Sequence, residues 1–87
     1  MAVVHIPAPL RSLTGGETDV VVPGATLAEV VEALEERFPG LKSRLTEGDR
    51  IRPGMAVFVG GVQTPFHLST RVPADAEIYF APAISGG

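Results

Sequence analysis

The sequence predicts an α+β domain in which a mixed sheet of four to five strands packs on one main helix. Two observations indicate this class: short β-branched runs alternate with turn residues, and only one segment has the apolar spacing of a long helix. Because a lone amphipathic helix must bury its apolar stripe against another element, a sheet on one side of it is the economical arrangement. With 87 residues, the chain has room for one such domain.

The first two strands are predicted near the start of the chain. Residues 2–6 form a short valine-rich run that ends at Pro7, and residues 17–22 form a second run. The segment between them, residues 8–16, contains a proline and a pair of glycines, which indicates a loop. Two strands this close in sequence are expected to pair antiparallel.

The main helix is the clearest element. Thr26 is a good N-cap and Glu29 follows three residues later, a capping box that satisfies free backbone N–H groups. The residues that then recur at the spacing of one helix face are Leu27, Val30, Val31, Leu34 and Phe38. The sequence therefore predicts one amphipathic helix of about three turns. A short helical turn is expected at residues 41–45.

The second half of the chain supplies the remaining strands. Residues 47–54 are predicted as a polar loop, residues 55–59 as a strand, and residues 62–66 as a brief edge strand interrupted by proline. A turn at residues 73–76 leads into the last strand, residues 77–81. The first and last strands are expected to be parallel neighbours at the centre of the sheet, because proline-broken segments suit the edges.

Composition narrows the classes of function. With no cysteine, the chain has no disulfide, thiolate metal site or cysteine nucleophile. A net charge of −3 and a single lysine argue against nucleic acid as a partner. No run is long and apolar enough for a membrane span and no secretory signal is recognisable, so we expect a cytoplasmic protein without a membrane partner. His5 and His67 have no acidic companion at metal-ligand spacing, so neither is expected to bind a metal.

The end of the sequence carries the feature with the clearest chemical meaning. Residues 1–81 are predicted to be the folded domain, and residues 82–87 a flexible tail that ends in Gly86 and Gly87. An extended tail of this length reaches about 20 Å, far enough to enter the active site of another protein. Glycines lack a Cβ atom and can thread a narrow channel. A disordered end without function is the alternative interpretation of the tail alone.

The predicted order of elements and three stretches of sequence resemble the ubiquitin-like sulfur-carrier family, which has the β-grasp fold. That family includes the molybdopterin synthase small subunit and the thiamine-pathway carrier. Residues 6–16, residues 24–45 and the ending Pro-Ala-Ile-Ser-Gly-Gly are most similar to the carrier used in thiocarboxylate-dependent cysteine biosynthesis. The turns at residues 60–61 and 74–76 differ from that subgroup, which leaves open whether cysteine or another sulfur-containing metabolite receives the sulfur.

The resemblance implies a protein co-substrate rather than an enzyme. An adenylating enzyme of the ubiquitin-activating type would use ATP to activate Gly87, with Gly86 as its threading partner, and a sulfur donor would then produce a thiocarboxylate. In the cysteine pathway, the sulfur passes to an aminoacrylate held by a pyridoxal-phosphate cysteine synthase, and a zinc metalloprotease releases the product. These cofactors belong to the partner enzymes, and none is expected on this chain.

Partner contacts are predicted on one face of the sheet. In residues 55–59 both alternating sets of side chains are apolar, although only one set can meet the helix. We expect Phe58 and Tyr79 to flank the surface that docks the activating enzyme, although Phe58 in the core is an alternative. Pro82 and Ile84 of the tail are further predicted contacts.

Three other functions remain open at this point. One is a constitutive subunit like the small subunit of molybdopterin synthase, and another is a ubiquitin-like modifier joined to lysines. The third is a plain binding module in which the tail has no role. Each differs from a sulfur carrier in what becomes of the carboxyl end.

Overall fold

The computed structural model describes residues 1–82. In chain order its elements are β1 (Ala2–His5), a 3₁₀ helix (Ala8–Thr14), β2 (Asp19–Val22), α1 (Leu27–Arg37), α2 (Lys42–Leu45), β3 (Thr46–Glu47), β4 (Arg50–Ile51), β5 (Met55–Val59), β6 (Val62–Gln63) and β7 (Glu77–Pro82). Five strands form one mixed sheet in the order β2-β1-β7-β5-β6, and β3 and β4 form a separate hairpin. Within residues 1–82, no helix is long and apolar enough to cross a membrane.

The centre of the sheet is a parallel pair, as predicted. In the ladder between β1 and β7, Val3 is the partner of Glu77 and His5 is the partner of Tyr79. β2 pairs antiparallel with β1, while β5 pairs antiparallel with β7 and carries β6 on its outer side. The predicted α+β class, with a mixed sheet packed on one main helix, is therefore confirmed.

One face of this sheet packs on α1 and forms the core. In β1, β2 and β7 buried side chains alternate with more exposed ones, the pattern of a sheet covered on one side. The sheet and α1 together contribute Val4, Ile6, Val20, Val22, Val57, Ile78, Phe80, Leu27, Val30 and Leu34 to this core.

The N-terminus of α1 is capped as predicted, with one difference in detail. The Thr26 hydroxyl accepts a hydrogen bond from the N–H of Glu29 at 3.3 Å. The Glu29 carboxylate reaches back to the N–H of Ala25 at 2.8 Å, one residue before the usual partner in a capping box. Gly24 lies against this helix end, and a Cβ atom there would be 2.7 Å from the backbone nitrogen of Val30. Glycine is therefore required at position 24 for the chain to approach the helix this closely.

The prediction of a loop at residues 8–16 is wrong, because Ala8–Thr14 forms a 3₁₀ helix. The N–H of Leu10 donates to the carbonyl of Pro7 at 2.9 Å, and the buried Leu10 side chain anchors the helix to the core. Prolines are tolerated in the first turn of a helix because the N–H they lack has no intrahelical partner there.

The polar loop predicted at residues 47–54 is wrong in part. Residues on either side of Gly48, which has a φ of +64°, pair as the β3–β4 hairpin. Ile51 is only 3% exposed and packs in the core, so one aliphatic side chain holds a segment that is otherwise polar.

The strand ends also differ slightly from the prediction. β2 begins at Asp19 rather than residue 17, and β6 ends at Gln63, before the proline that interrupts the predicted segment. β7 extends through Pro82. The ladder between β1 and β7 ends at Tyr79, so Pro82 has a neighbouring strand, β5, on one side only. Its lack of a backbone N–H therefore costs the sheet no hydrogen bond.

Candidate functional site

The candidate site is the face of the sheet that points away from α1, called the outer face below. Its central row crosses all five strands, because the register partners in sheet order are Asp19, His5, Tyr79, Phe58 and Gln63. Register partners point to the same side of a sheet, so these side chains share the outer face.

The two predicted docking residues face each other on this row. Phe58 of β5 and Tyr79 of β7 are direct partners in the antiparallel ladder. Tyr79 is 45% exposed, and Phe58 is half-buried and lies outside the core cluster. The alternative that places Phe58 in the core is therefore wrong, since its neighbour Val57 faces α1 instead.

Further apolar side chains extend the surface toward β2. Val3 of β1 and Val21 of β2 are register partners on the outer face, and Val21 is 50% exposed. Together with Tyr79 and Phe58, they give the outer face an apolar area that α1 does not cover. An exposed apolar patch of this kind is typical of a surface that binds another protein.

His5 lies on this row next to Asp19, and its ring also contacts a second carboxylate, that of Glu77. Its Nδ1 is 2.7 Å from Oδ1 of Asp19, and its Nε2 is 2.8 Å from Oε1 of Glu77. The imidazole ring also stacks on the ring of Tyr79, with centroids 3.9 Å apart and planes 5° from parallel. A neutral imidazole donates to one carboxylate, whereas an imidazolium donates to both. The four side chains thus form one connected cluster.

Sequence reasoning did not find this cluster, because the two acidic partners of His5 lie on other strands. Asp19 faces His5 across the β1–β2 ladder, and Glu77 lies in the β7 strand beside β1. The alternation of side chains along the three strands places all three residues on the same face. Only the register between the strands shows that they are neighbours. Among the described residues, no three His, Asp or Glu side chains are arranged to hold a metal ion. His67 lies elsewhere, with its Nδ1 2.8 Å from Oγ of Ser69.

β7 leads directly from the outer face to the tail. After Tyr79, Ala81 faces the small side chain of Ala56, and the exposed Pro82 is the register partner of Met55. The other predicted site residues, Ile84, Gly86 and Gly87, lie outside the described residues. A partner seated on the outer face therefore contacts the strand from which the tail continues.

Comparison with known proteins in sequence points to one family. The model of the ThiS family matches residues 4–87. The sulfur carrier protein CysO of Mycobacterium tuberculosis is 32% identical to this chain over 91 residues, an alignment that covers 97% of this chain and 96% of that protein.

Solved structures agree with the sequence comparison. A chain of the Amycolatopsis orientalis BexX/CysO complex has a TM-score of 0.90 and 31% identity, with 100% of both chains covered. SAMP1 from Haloferax volcanii has a TM-score of 0.72 and 28% identity, with 99% of this chain and 98% of that chain covered. The expected β-grasp fold is thereby confirmed. With a family match over nearly its whole length and this fold, the chain belongs to the ThiS family of ubiquitin-like sulfur carriers.

Proposed function

We propose that this chain carries sulfur as a thiocarboxylate on Gly87 and donates it to an enzyme that makes cysteine or another sulfur-containing metabolite. The observation that supports the proposal is the family match, which runs through residue 87 and so includes the glycine pair. In this role the chain is a co-substrate of other enzymes. The chemistry requires Gly87 to have a free α-carboxylate.

The proposed chemistry consists of two substitutions. An oxygen of the Gly87 carboxylate attacks the α-phosphorus of ATP in the partner's active site, and pyrophosphate leaves. A sulfur nucleophile at the oxidation level of sulfide then attacks the carbonyl carbon of the acyl adenylate, and AMP leaves. The carbon retains one oxygen and gains one sulfur. Because Gly86 and Gly87 have no Cβ atoms, they place little bulk around the attacked carbon.

In this chemistry the folded domain binds the partner enzyme and places the tail. We propose that the activating enzyme seats on the outer face through Phe58 and Tyr79, and that Pro82 and Ile84 guide the tail into its active site. The solved A. orientalis BexX/CysO complex supports a role in which a similar chain works through a protein partner. For the partners we propose an adenylating enzyme that uses ATP, a pyridoxal-phosphate synthase and a zinc metalloprotease. We propose no bound cofactor for this chain.

The test is ATP–pyrophosphate exchange with the adenylating enzyme isolated from the same cells. Deletion of Gly87 and the Gly86→Val variant should abolish exchange. Both should retain the native Tm, because every described core residue lies between Ala2 and Phe80. Ser85→Ala is the matched control, since it alters the tail and keeps both glycines. Full exchange with the Gly87 deletion would refute the proposal.

A second candidate is a modifier that is joined to lysines of other proteins. The likeness to H. volcanii SAMP1, the small archaeal modifier protein 1, supports it. Both functions begin with adenylation of Gly87 and differ in the nucleophile that follows. Isopeptide-linked remnants of Ser-Gly-Gly on lysines of cellular proteins would establish the modifier, whereas a thiocarboxylate without such conjugates would support the carrier alone.

A further inference from the structure

The strand residues whose side chains form the outer face include two carboxylates and neither lysine nor arginine. Its register rows contain Asp19 and Glu77, and the other members of these rows are apolar residues, His5 and Gln63. The side chains of Asp19 and Glu77 are 58% and 59% exposed. Two accessible carboxylates therefore lie beside the apolar area around Tyr79.

His5 holds these carboxylates in place. Each carboxylate contacts the ring through one oxygen, Oδ1 of Asp19 or Oε1 of Glu77. Within residues 1–82, no donor of a hydrogen bond or ion pair reaches Oδ2 of Asp19 or Oε2 of Glu77. The His5 side chain is only 23% exposed, so it lies deeper in the face than the two carboxylates that it contacts. The second oxygen of each carboxylate remains available to a donor on a partner protein.

On the basis of the proposed function, we propose that the activating enzyme recognises the outer face with guanidinium or ammonium groups placed opposite Asp19 and Glu77. These cations surround an apolar centre that contacts Tyr79 and Phe58. His5 is a positioning residue for the two carboxylates.

Cationic groups on a partner complement both the charge and the aromatic surface of the outer face. A carboxylate with a free oxygen accepts a charge-assisted hydrogen bond, and a guanidinium also packs well on an exposed aromatic ring such as that of Tyr79. A partner that covered the face with apolar groups alone would bury the carboxylates without a second donor, which is costly. Charge complementarity across such an interface increases association rate and selects the partner.

The test measures ATP–pyrophosphate exchange by the adenylating enzyme at increasing concentrations of this chain. It compares the effect of each variant on the KM for the chain with its effect on kcat. Glu77→Lys should raise KM about tenfold and leave kcat unchanged, because the tail is intact. Glu36→Lys is the matched control: it changes the net charge equally on the exposed side of α1, away from the outer face, and KM should stay within about twofold. Native kcat/KM should fall as salt is raised, and the Glu77→Lys variant should lose much of this dependence.

A second variant guards against a folding defect. Glu77→Gln keeps an acceptor for His5 and removes only the charge, so it should retain the native Tm and raise KM by about threefold. Equal KM values for Glu77→Lys and Glu36→Lys would overturn the inference while native exchange still supports the proposed function. If the native chain itself shows no exchange, the proposed function fails, and the inference fails with it.

Discussion

The ring of His5 lies flat on the ring of Tyr79, with centroids 3.9 Å apart and planes 5° from parallel. This contact joins β1 and β7, the central parallel pair, through side chains as well as through the backbone ladder. It also covers one side of the Tyr79 ring and leaves the residue 45% exposed. The aromatic group proposed to meet the partner is thus held in a defined orientation before any partner arrives.

Loss of the His5 ring should weaken the fold measurably. His5→Ala removes the stacking contact with Tyr79 and the polar contacts with Asp19 and Glu77, so we expect the free energy of unfolding to fall by about 1 kcal/mol. Urea denaturation of the variant and the native chain measures this loss. His67→Ala is the control, because the exposed His67 hydrogen-bonds Ser69 across a surface loop, and its change should stay within about 0.5 kcal/mol. Equal losses would contradict a structural role for the His5 cluster.

The aromatic pair of the outer face should matter for partner binding more than for folding. Tyr79→Ala and Phe58→Ala should raise the KM for the adenylating enzyme about tenfold or more, since each removes a large contact at the centre of the proposed interface. Circular dichroism should show a native fold. Val62→Ala is the matched control, because Val62 is an exposed apolar residue (69%) that does not lie on the outer face. Its register partner is Val59, whose side chain packs against the core on the opposite side of the sheet. A native KM for both aromatic variants would contradict docking on this face.

Gly24 should be far less replaceable than other glycines with positive φ. At Gly24 the φ is +153°, and an added Cβ would lie 2.7 Å from the backbone nitrogen of Val30, which cannot move without distorting the start of α1. Gly15 has a φ of +65° with nothing within 4 Å of the Cβ position. We expect Gly15→Ala to cost about 1 kcal/mol of stability and Gly24→Ala about 3 kcal/mol. Similar urea midpoints for the two variants would contradict the close approach.

Glu35 should stabilise the turn between α1 and α2 at neutral pH and not in acid. The backbone N–H groups of Gly40 and Lys42 donate to its carboxylate at 3.0 and 2.8 Å and hold the pKa of Glu35 below its ordinary value of 4.5. A carboxyl with a lowered pKa in the folded state adds stability above its unfolded pKa and loses it as pH falls through the folded value. The native chain should therefore exceed Glu35→Gln in Tm at pH 7, and the gap should close in acid below pH 4.5. A gap that is constant over this range would contradict the role of the charge.

The elements that the sequence predicted best are those with a strong local signal. Thr26 and Glu29 mark the start of α1 by their spacing, and the apolar stripe behind them gives its length. The parallel pairing of β1 with β7 followed from a general rule, because prolines near the other segments favour the sheet edges. Each of these signals consists of residues close together in the sequence, although the two strands that pair, β1 and β7, are far apart in it.

The features that were missed depend on contacts distant in sequence. Leu10 and Ile51 each draw a polar or proline-containing segment onto the core, and a single apolar residue gives no periodic pattern. His5 meets Asp19 and Glu77 only through the register of three strands, and a shift of one residue would move a side chain to the other face. The outer face could therefore be predicted as apolar from β5, but its charged cluster could not.

The most direct measurement is the intact mass of the chain isolated from its native cells under non-reducing, thiol-free conditions. The sulfur-carrier account predicts a population heavier by the exchange of one oxygen for one sulfur, mapped to the peptide that ends at Gly87. A uniform free carboxylate, persisting after incubation with cell extract, ATP and a source of sulfide, would contradict it.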